Sequence, residues 1–184
     1  NFKTNPKYWH ALHRGRLLSR FEQEKIITPE ISYGCNMTVD SKNYLHTEKV
    51  YNFLKKKDGN VNLKYFLGIL NSKVMWFFLK NSGDTLRGGF FTFKTQYMQP
   101  FSIPEPSKKD ENVMVEFVEQ ILLLKKEFGS EKQIFLNLVR HNLKLDIIST
   151  KIEKFYQISL DEFLDELKTK HKISLNMDKQ IEWS

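Results

Sequence analysis

At 184 residues, with 40% hydrophobic and 28% charged side chains, the chain is long enough to bury a sizeable core and has the composition of an ordinary globular protein. Its single cysteine, Cys35, excludes an internal disulfide framework and suits a reducing cytoplasm. No apolar run approaches the roughly 20 residues that span a bilayer, so no membrane partner is expected. The net charge of +7 is unevenly spread. Residues 1–100 hold 16 Lys and Arg against 7 Asp and Glu, a balance of +9, whereas residues 101–184 hold 13 against 15. Four of the five arginines (Arg14, Arg16, Arg20 and Arg87) fall in the basic part. The asymmetry points to a first part that faces a polyanion and a second that does not. Solvated lysines alone would give the same lysine excess, so the arginines and the shortage of acids carry this argument. The chain starts at Asn1 without a Met or a charged-then-apolar leader and stops at Ser184, and it is expected to be a segment of a longer protein.

In chain order, residues 7–21 predict a short basic helix weakened by Gly15. Lys25–Ile31 is β-branched and apolar, a strand that Pro29 would confine to an edge or an irregular end. Asp40-Ser41-Lys42 reads as a hairpin turn between Met37–Val39 and Asn43–Thr47, and Tyr51–Leu54 as a strand extending that sheet. Apolar residues at 63, 66, 67, 70, 74, 77 and 78 predict one long amphipathic helix from Leu63 to Lys80, with Trp76, Phe77 and Phe78 in the core. Phe91 and Phe93 alternate with Phe90, Thr92 and Lys94, as in a strand with one buried face. Pro100, Pro104 and Pro106 then mark a boundary. Beyond it, Asn112–Phe128 and Lys132–Leu143 predict two helices separated by Gly129-Ser130, followed by a short apolar segment over Ile147–Tyr156. Ser159 and Glu162 form a capping box that opens a last helix to about Lys170. The fold class expected is α+β: a small mixed sheet with a long apolar helix over residues 1–105, then a helical extension over 106–184.

The order of features between Tyr65 and Pro104 is more specific than any single motif. A leucine-rich helix carrying Leu70-Asn71-Ser72 leads to Arg87-Gly88-Gly89, then to an aromatic strand closing on Ser102-Ile103-Pro104. This order resembles the TaqI-like specificity domain of bacterial restriction–modification enzymes and adenine DNA methyltransferases. Lys25-Ile26-Ile27-Thr28-Pro29-Glu30-Ile31 is similar to the strand that opens the sheet in that family. Phe163–Lys168 with Gln180-Ile181-Glu182-Trp183 resembles the closing region of type IIG proteins. The resemblance implies a domain that reads double-stranded DNA and performs no chemistry itself. It also implies an upstream methyltransferase domain in the same parent chain, using S-adenosylmethionine to methylate adenine at N6, with or without a Mg²⁺-dependent nuclease.

The chain carries no catalytic constellation of its own. Asn5-Pro6-Lys7-Tyr8 is the nearest match to the Asn-Pro-Pro-Tyr hallmark of such methyltransferases, but Lys7 replaces the second proline and no apolar strand precedes it. No glycine-rich loop follows a strand to hold S-adenosylmethionine. Glu166-Leu167-Lys168 has the letters of a nuclease motif, yet it lies within a helix among Asp161, Glu162 and Asp165, as a solvated face would. His10, His13, His46, His141 and His171 are scattered, and with Cys35 the only thiol a closed zinc site lacks ligands.

Duplex binding draws affinity from Lys and Arg on phosphates and specificity from side chains reaching base edges. Three stretches have that content. The first is basic and carries Arg14 and Arg16, with Arg20 just beyond. The second is a loop between strands, Tyr33-Gly34-Cys35-Asn36, with an amide beside a flexible glycine. The third is Arg87-Gly88-Gly89 followed by Thr92 and Lys94, where two glycines permit close backbone approach; as a DNA contact Arg87 is favoured, whereas Phe91 and Phe93 read as core. The alternative to DNA reading is a protein-interaction module, in which the helical part docks a catalytic or specificity subunit.

Overall fold

The structure, a computed structural model, describes residues 18–56 and 59–175, so Arg14 and Arg16 lie outside the described residues. It divides into two compact units, one reaching to Ile121 and the other starting at Leu122. The architecture is α+β, with small antiparallel sheets in the first unit and helices in the second.

In the first unit, β1 (Lys25–Pro29) lies between β3 (Thr38–Asp40) and β4 (Val50–Phe53), antiparallel to both. Of the two places expected for a strand with Pro29, an edge or an irregular end, the structure has the second: β1 is central, and the run Lys25–Ile31 breaks at its end into β1 and β2 (Ile31–Ser32). Pro29 is tolerated because it is the last residue of β1, opposite Val50, where the ladder ends. The expected hairpin also differs. Asp40 closes β3, but the segment after it forms no strand; β3 pairs back to β1 instead. A buried ion pair explains the turn. Lys25 Nζ lies 2.5 Å from Asp40 Oδ2 with both side chains almost fully enclosed, and it also donates to the Phe21 carbonyl at 2.9 Å. Asp40 in turn accepts from the backbone N–H groups of Lys42 and Tyr44, each at 2.9 Å, so the carboxylate shapes the turn rather than a partner strand.

The second sheet orders β2 (Ile31–Ser32), β6 (Phe90–Thr92) and β5 (Thr85–Leu86), with β6 in the middle. The long helix expected from Leu63 to Lys80 is two helices, α1 (Leu63–Leu70) and α2 (Lys73–Ser82). Ser72 caps α2 by accepting from the Met75 N–H at 3.1 Å. The break resets the helical phase: Leu63, Leu67 and Leu70 are buried in α1, but α2 buries Met75 and Leu79 and leaves Val74 and Phe77 exposed. Phe77, expected in the core, is 66% exposed. After the short α3 (Thr95–Met98), α4 (Lys108–Asn142) begins. Within the first unit it packs on α1 at Gly68, where a Cβ would stand 2.6 Å from Met114 Sδ and 3.0 Å from Val118. Glu111 ties the two helix starts, accepting from the Asn62 N–H at 2.5 Å and from Lys108. The hydrogen bond from Lys108 and that from the Asn62 backbone hold its carboxyl below the ordinary range. Tyr65 donates to the Pro104 carbonyl at 3.1 Å, tying the Ile103-Pro104 segment to α1.

The second unit has its own core of Leu136, Val139, Leu145, Ile148, Ile152, Phe163 and Leu167. The two helices expected on either side of Gly129-Ser130 are one, because a glycine lowers helix propensity by only about 1 kcal/mol and the flanking residues are strong helix formers. α5 (Thr150–Glu153) and α6 (Leu160–Lys170) complete it, and the capping box of Ser159 and Glu162 is present with both bonds made.

Candidate nucleic-acid interface

The pairing of β2 with β6 brings two of the three predicted stretches side by side. Ser32 lies opposite Phe91, so the loop that leaves β2 at Tyr33 emerges next to Phe90, where the turn from β5 enters β6. That turn is Arg87-Gly88-Gly89, with φ of +82° at Gly88 and +78° at Gly89, a backbone region costly for residues with a Cβ. Gly89 is constrained twice. A Cβ there would also stand 3.2 Å from Cε2 of Tyr33, so the tyrosine ring lies over bare backbone.

The Tyr33 ring is 67% exposed, with centroids 6.0 Å from Phe90 and 6.2 Å from Trp76. Trp76, half-buried on α2, packs edge-on against buried Phe91 at 5.1 Å, anchoring this aromatic surface to the core. Arg87 is exposed at the tip of the turn and makes no ion pair among the described residues. Lys80, also exposed, stands 6.0 Å from the Trp76 ring centroid. The nearby acid, Asp84, accepts a short hydrogen bond from Tyr97, which with burial raises the tyrosine's pKa. The arrangement presents cations and rings on one surface, which suits phosphates and base or sugar faces better than a metal or a small acid. No group of three or more metal-ligating side chains gathers among the described residues.

The other expected contacts are placed as follows. Asn36 is exposed, but its amide nitrogen donates to Ser32 Oγ at 2.6 Å and approaches the carbonyls of Tyr33 and Gly34 at 3.4 Å. Its donor end therefore closes its own loop. Thr92 departs from the expectation of a DNA contact. It is 5% exposed and pairs with Ile31 inside the sheet, so the face of β6 that is open at Phe90 is buried two residues on. Its hydroxyl has no hydrogen-bond partner among the described residues. Phe91 and Phe93 are core, as read from the alternation. Lys94 is exposed at the start of α3, at the opposite end of β6 from the glycine turn and about 13 Å along an extended strand. Arg20 is exposed on the rim of a separate, largely apolar cavity of about 1180 Å³, whose lining includes Phe21, Phe53, Phe66 and Phe101 and none of the residues of the turn.

One residue matters more than its sequence suggested. The Asn71 side chain receives the Met37 N–H at 2.9 Å and donates to the Met37 carbonyl at 3.1 Å, and its amide also reaches the Leu67 carbonyl at 3.1 Å. The Leu-Asn-Ser motif is thus a joint. Leu70 fills the core, Ser72 starts α2, and Asn71 grips the end of the Tyr33–Asn36 loop as a neighbouring strand would. Its sequence signal was its place in Leu70-Asn71-Ser72, inside what the hydrophobic count reads as one unbroken helix.

No helix among the described residues is long and apolar enough to cross a membrane. No curated protein matches the chain. The model of the TaqI-like C-terminal specificity domain matches residues 2–103, and that of a domain of unknown function (DUF8810) matches residues 107–184. With more than half of its length matched by the first, the chain belongs to the family of TaqI-like C-terminal specificity domains.

Proposed function

We infer that this chain reads a DNA sequence on behalf of an adenine-N6 DNA methyltransferase of a restriction–modification system, of the type IIG arrangement. Residues 1–105 act as the target-recognition domain and 106–184 as its helical extension. The observation that carries the reading is the convergence of the Tyr33–Asn36 loop with the Arg87-Gly88-Gly89 turn in a chain of the specificity family. Phosphate contacts set register and a few side chains set sequence, while the upstream catalytic domain of the parent chain binds S-adenosylmethionine and takes adenine out of the stack. Mg²⁺ belongs to that upstream part where it carries a nuclease. The setting is the bacterial cytoplasm.

A randomised duplex library retained at two salt concentrations tests this. A short motif that survives the higher salt supports it; retention without a motif, lost with salt, refutes sequence reading by this chain alone. Replacing Arg87 by Ala should weaken binding, by about 1–3 kcal/mol with a relaxed motif at one position if it pairs with a guanine, or with a salt slope lower by about 1 if it holds a phosphate. Unchanged affinity and an unchanged motif remove Arg87 from the interface.

A second reading has one observation in its favour. In the first unit α4 leaves Val113, Phe117 and Ile121 exposed at four-residue spacing, an apolar stripe suited to a protein partner such as the catalytic domain. Binding to protein but not DNA, with little salt dependence, would favour it.

A further inference from the structure

Two aromatic rings stand in the open beside the glycine turn. Tyr33 is 67% and Phe90 43% exposed, with Leu86 at 36% next to them. Such rings are normally drawn into a core, yet here their placement is fixed without being covered. Tyr33 is held over Gly89 and edge-on to Phe90, and Trp76 backs it from α2. The ring pair is therefore rigid before any partner arrives, and little side-chain freedom remains to be lost on contact.

The charges around the rings select the partner. Arg87 is exposed and outside any ion pair among the described residues, Lys80 lies by Trp76, and Asp84 is engaged with Tyr97. Rings flanked by cations match a partner with flat apolar faces joined by anionic links, which is the chemistry of a nucleic acid. In a duplex the base faces are stacked away, so rings reach them only by entering between two base pairs from a groove.

We propose that Tyr33 and Phe90 form a wedge that inserts at one base step of the bound duplex, with Arg87 holding the adjacent phosphate. This rests on the DNA-reading function above and adds to it a deformation of the target. It makes part of the specificity depend on how readily that step unstacks, so pyrimidine–purine steps are favoured there.

The test uses the full 184-residue chain and a duplex retained in the library selection, with 2-aminopurine placed in turn at each position. Binding by the native chain should raise fluorescence at one step. Tyr33→Ala and Phe90→Ala, which alter exposed rings, should lose that rise and bind about 10-fold or more weakly with an unchanged salt slope. An abasic site at the same step should restore much of the loss. Tyr33→Phe should behave as the native chain, and Arg87→Ala should instead lower the salt slope by about 1. Melting curves confirm that each variant is folded. If both alanine variants are folded and bind as tightly as the native chain, with no position responding, the wedge is overturned while DNA reading stands. If the native chain retains no duplex at any salt, the DNA reading fails and the wedge with it.

Discussion

Asn71→Ala is the perturbation whose size follows most directly from the structure. The native amide satisfies both backbone groups of Met37, a residue only 7% exposed, and its loss leaves that N–H and that carbonyl without partners. An orphaned buried polar group costs about 1–3 kcal/mol. Asn71 lies at the surface, where water can take up part of the bonding, so the low end applies to each, about 2–3 kcal/mol in all. Urea unfolding followed by tryptophan fluorescence reads this as a fall in midpoint, and hydrogen exchange reads it locally, as loss of protection at the Met37 amide. Ser72→Ala is the control, because it removes a helix cap worth about 1 kcal/mol from the same joint without touching Met37. The reasoning fails if Asn71→Ala costs less than about 1 kcal/mol and the Met37 amide stays protected. Since Met37 ends the Tyr33–Asn36 loop, the same variant should also blur any sequence preference while leaving the salt slope intact.

Asp40→Ala strands the Lys25 ammonium in a fully buried site and should cost about 3–5 kcal/mol, most of it recovered in the double variant Lys25→Met, Asp40→Leu; a single-variant loss under 1 kcal/mol would show that the pair is not buried as described. Burial raises the Asp40 pKa, but the hydrogen bonds from Lys25 and the Lys42 and Tyr44 amides lower it more, to a net value below the ordinary 3.8. The stability it contributes is therefore complete at neutral pH and is lost as the pH falls below about 4 and through the lowered value, which an acid titration of the unfolding midpoint measures. Burial pushes the Cys35 thiol up to about 11, so at pH 8 its alkylation should run about 100-fold slower than that of an ordinary cysteine, and a rate near the free thiol's would contradict its enclosure. Gly129→Ala in the continuous α4 meets nothing within 4 Å and should stabilise the second unit by about 0.5–1 kcal/mol in thermal unfolding; destabilisation would argue for a break there.

Where the sequence spoke through periodicity it spoke reliably, but only within one unbroken element. The stripe at Leu63, Leu67 and Leu70 is buried as its spacing predicts, and the same count carried on to Val74 and Phe77 points into solvent. The reason is Ser72. A cap restarts a helix with a new rotation, and nothing in a hydrophobic count records the restart. Pro29 left two places open, an edge or an irregular end, and the structure has the second: the missing N–H forbids a place in the middle of a ladder, but not at the last rung of a central strand. The site followed the same division. Arg87, Gly88, Gly89 and Tyr33 were legible as types of residue that suit DNA, each within a few residues of a turn signal. That they stand together was not legible, because it depends on β2 pairing with β6 across almost 60 residues, and no local pattern specifies that register. Thr92 shows the consequence. Its alternation with Phe91 and Phe93 argues for solvent on one side, but that side of β6 is open only at Phe90 and is buried at Thr92. A recognition surface built from loops on paired strands is therefore written in the sequence as parts, and the pairing that assembles them is a property of the whole core.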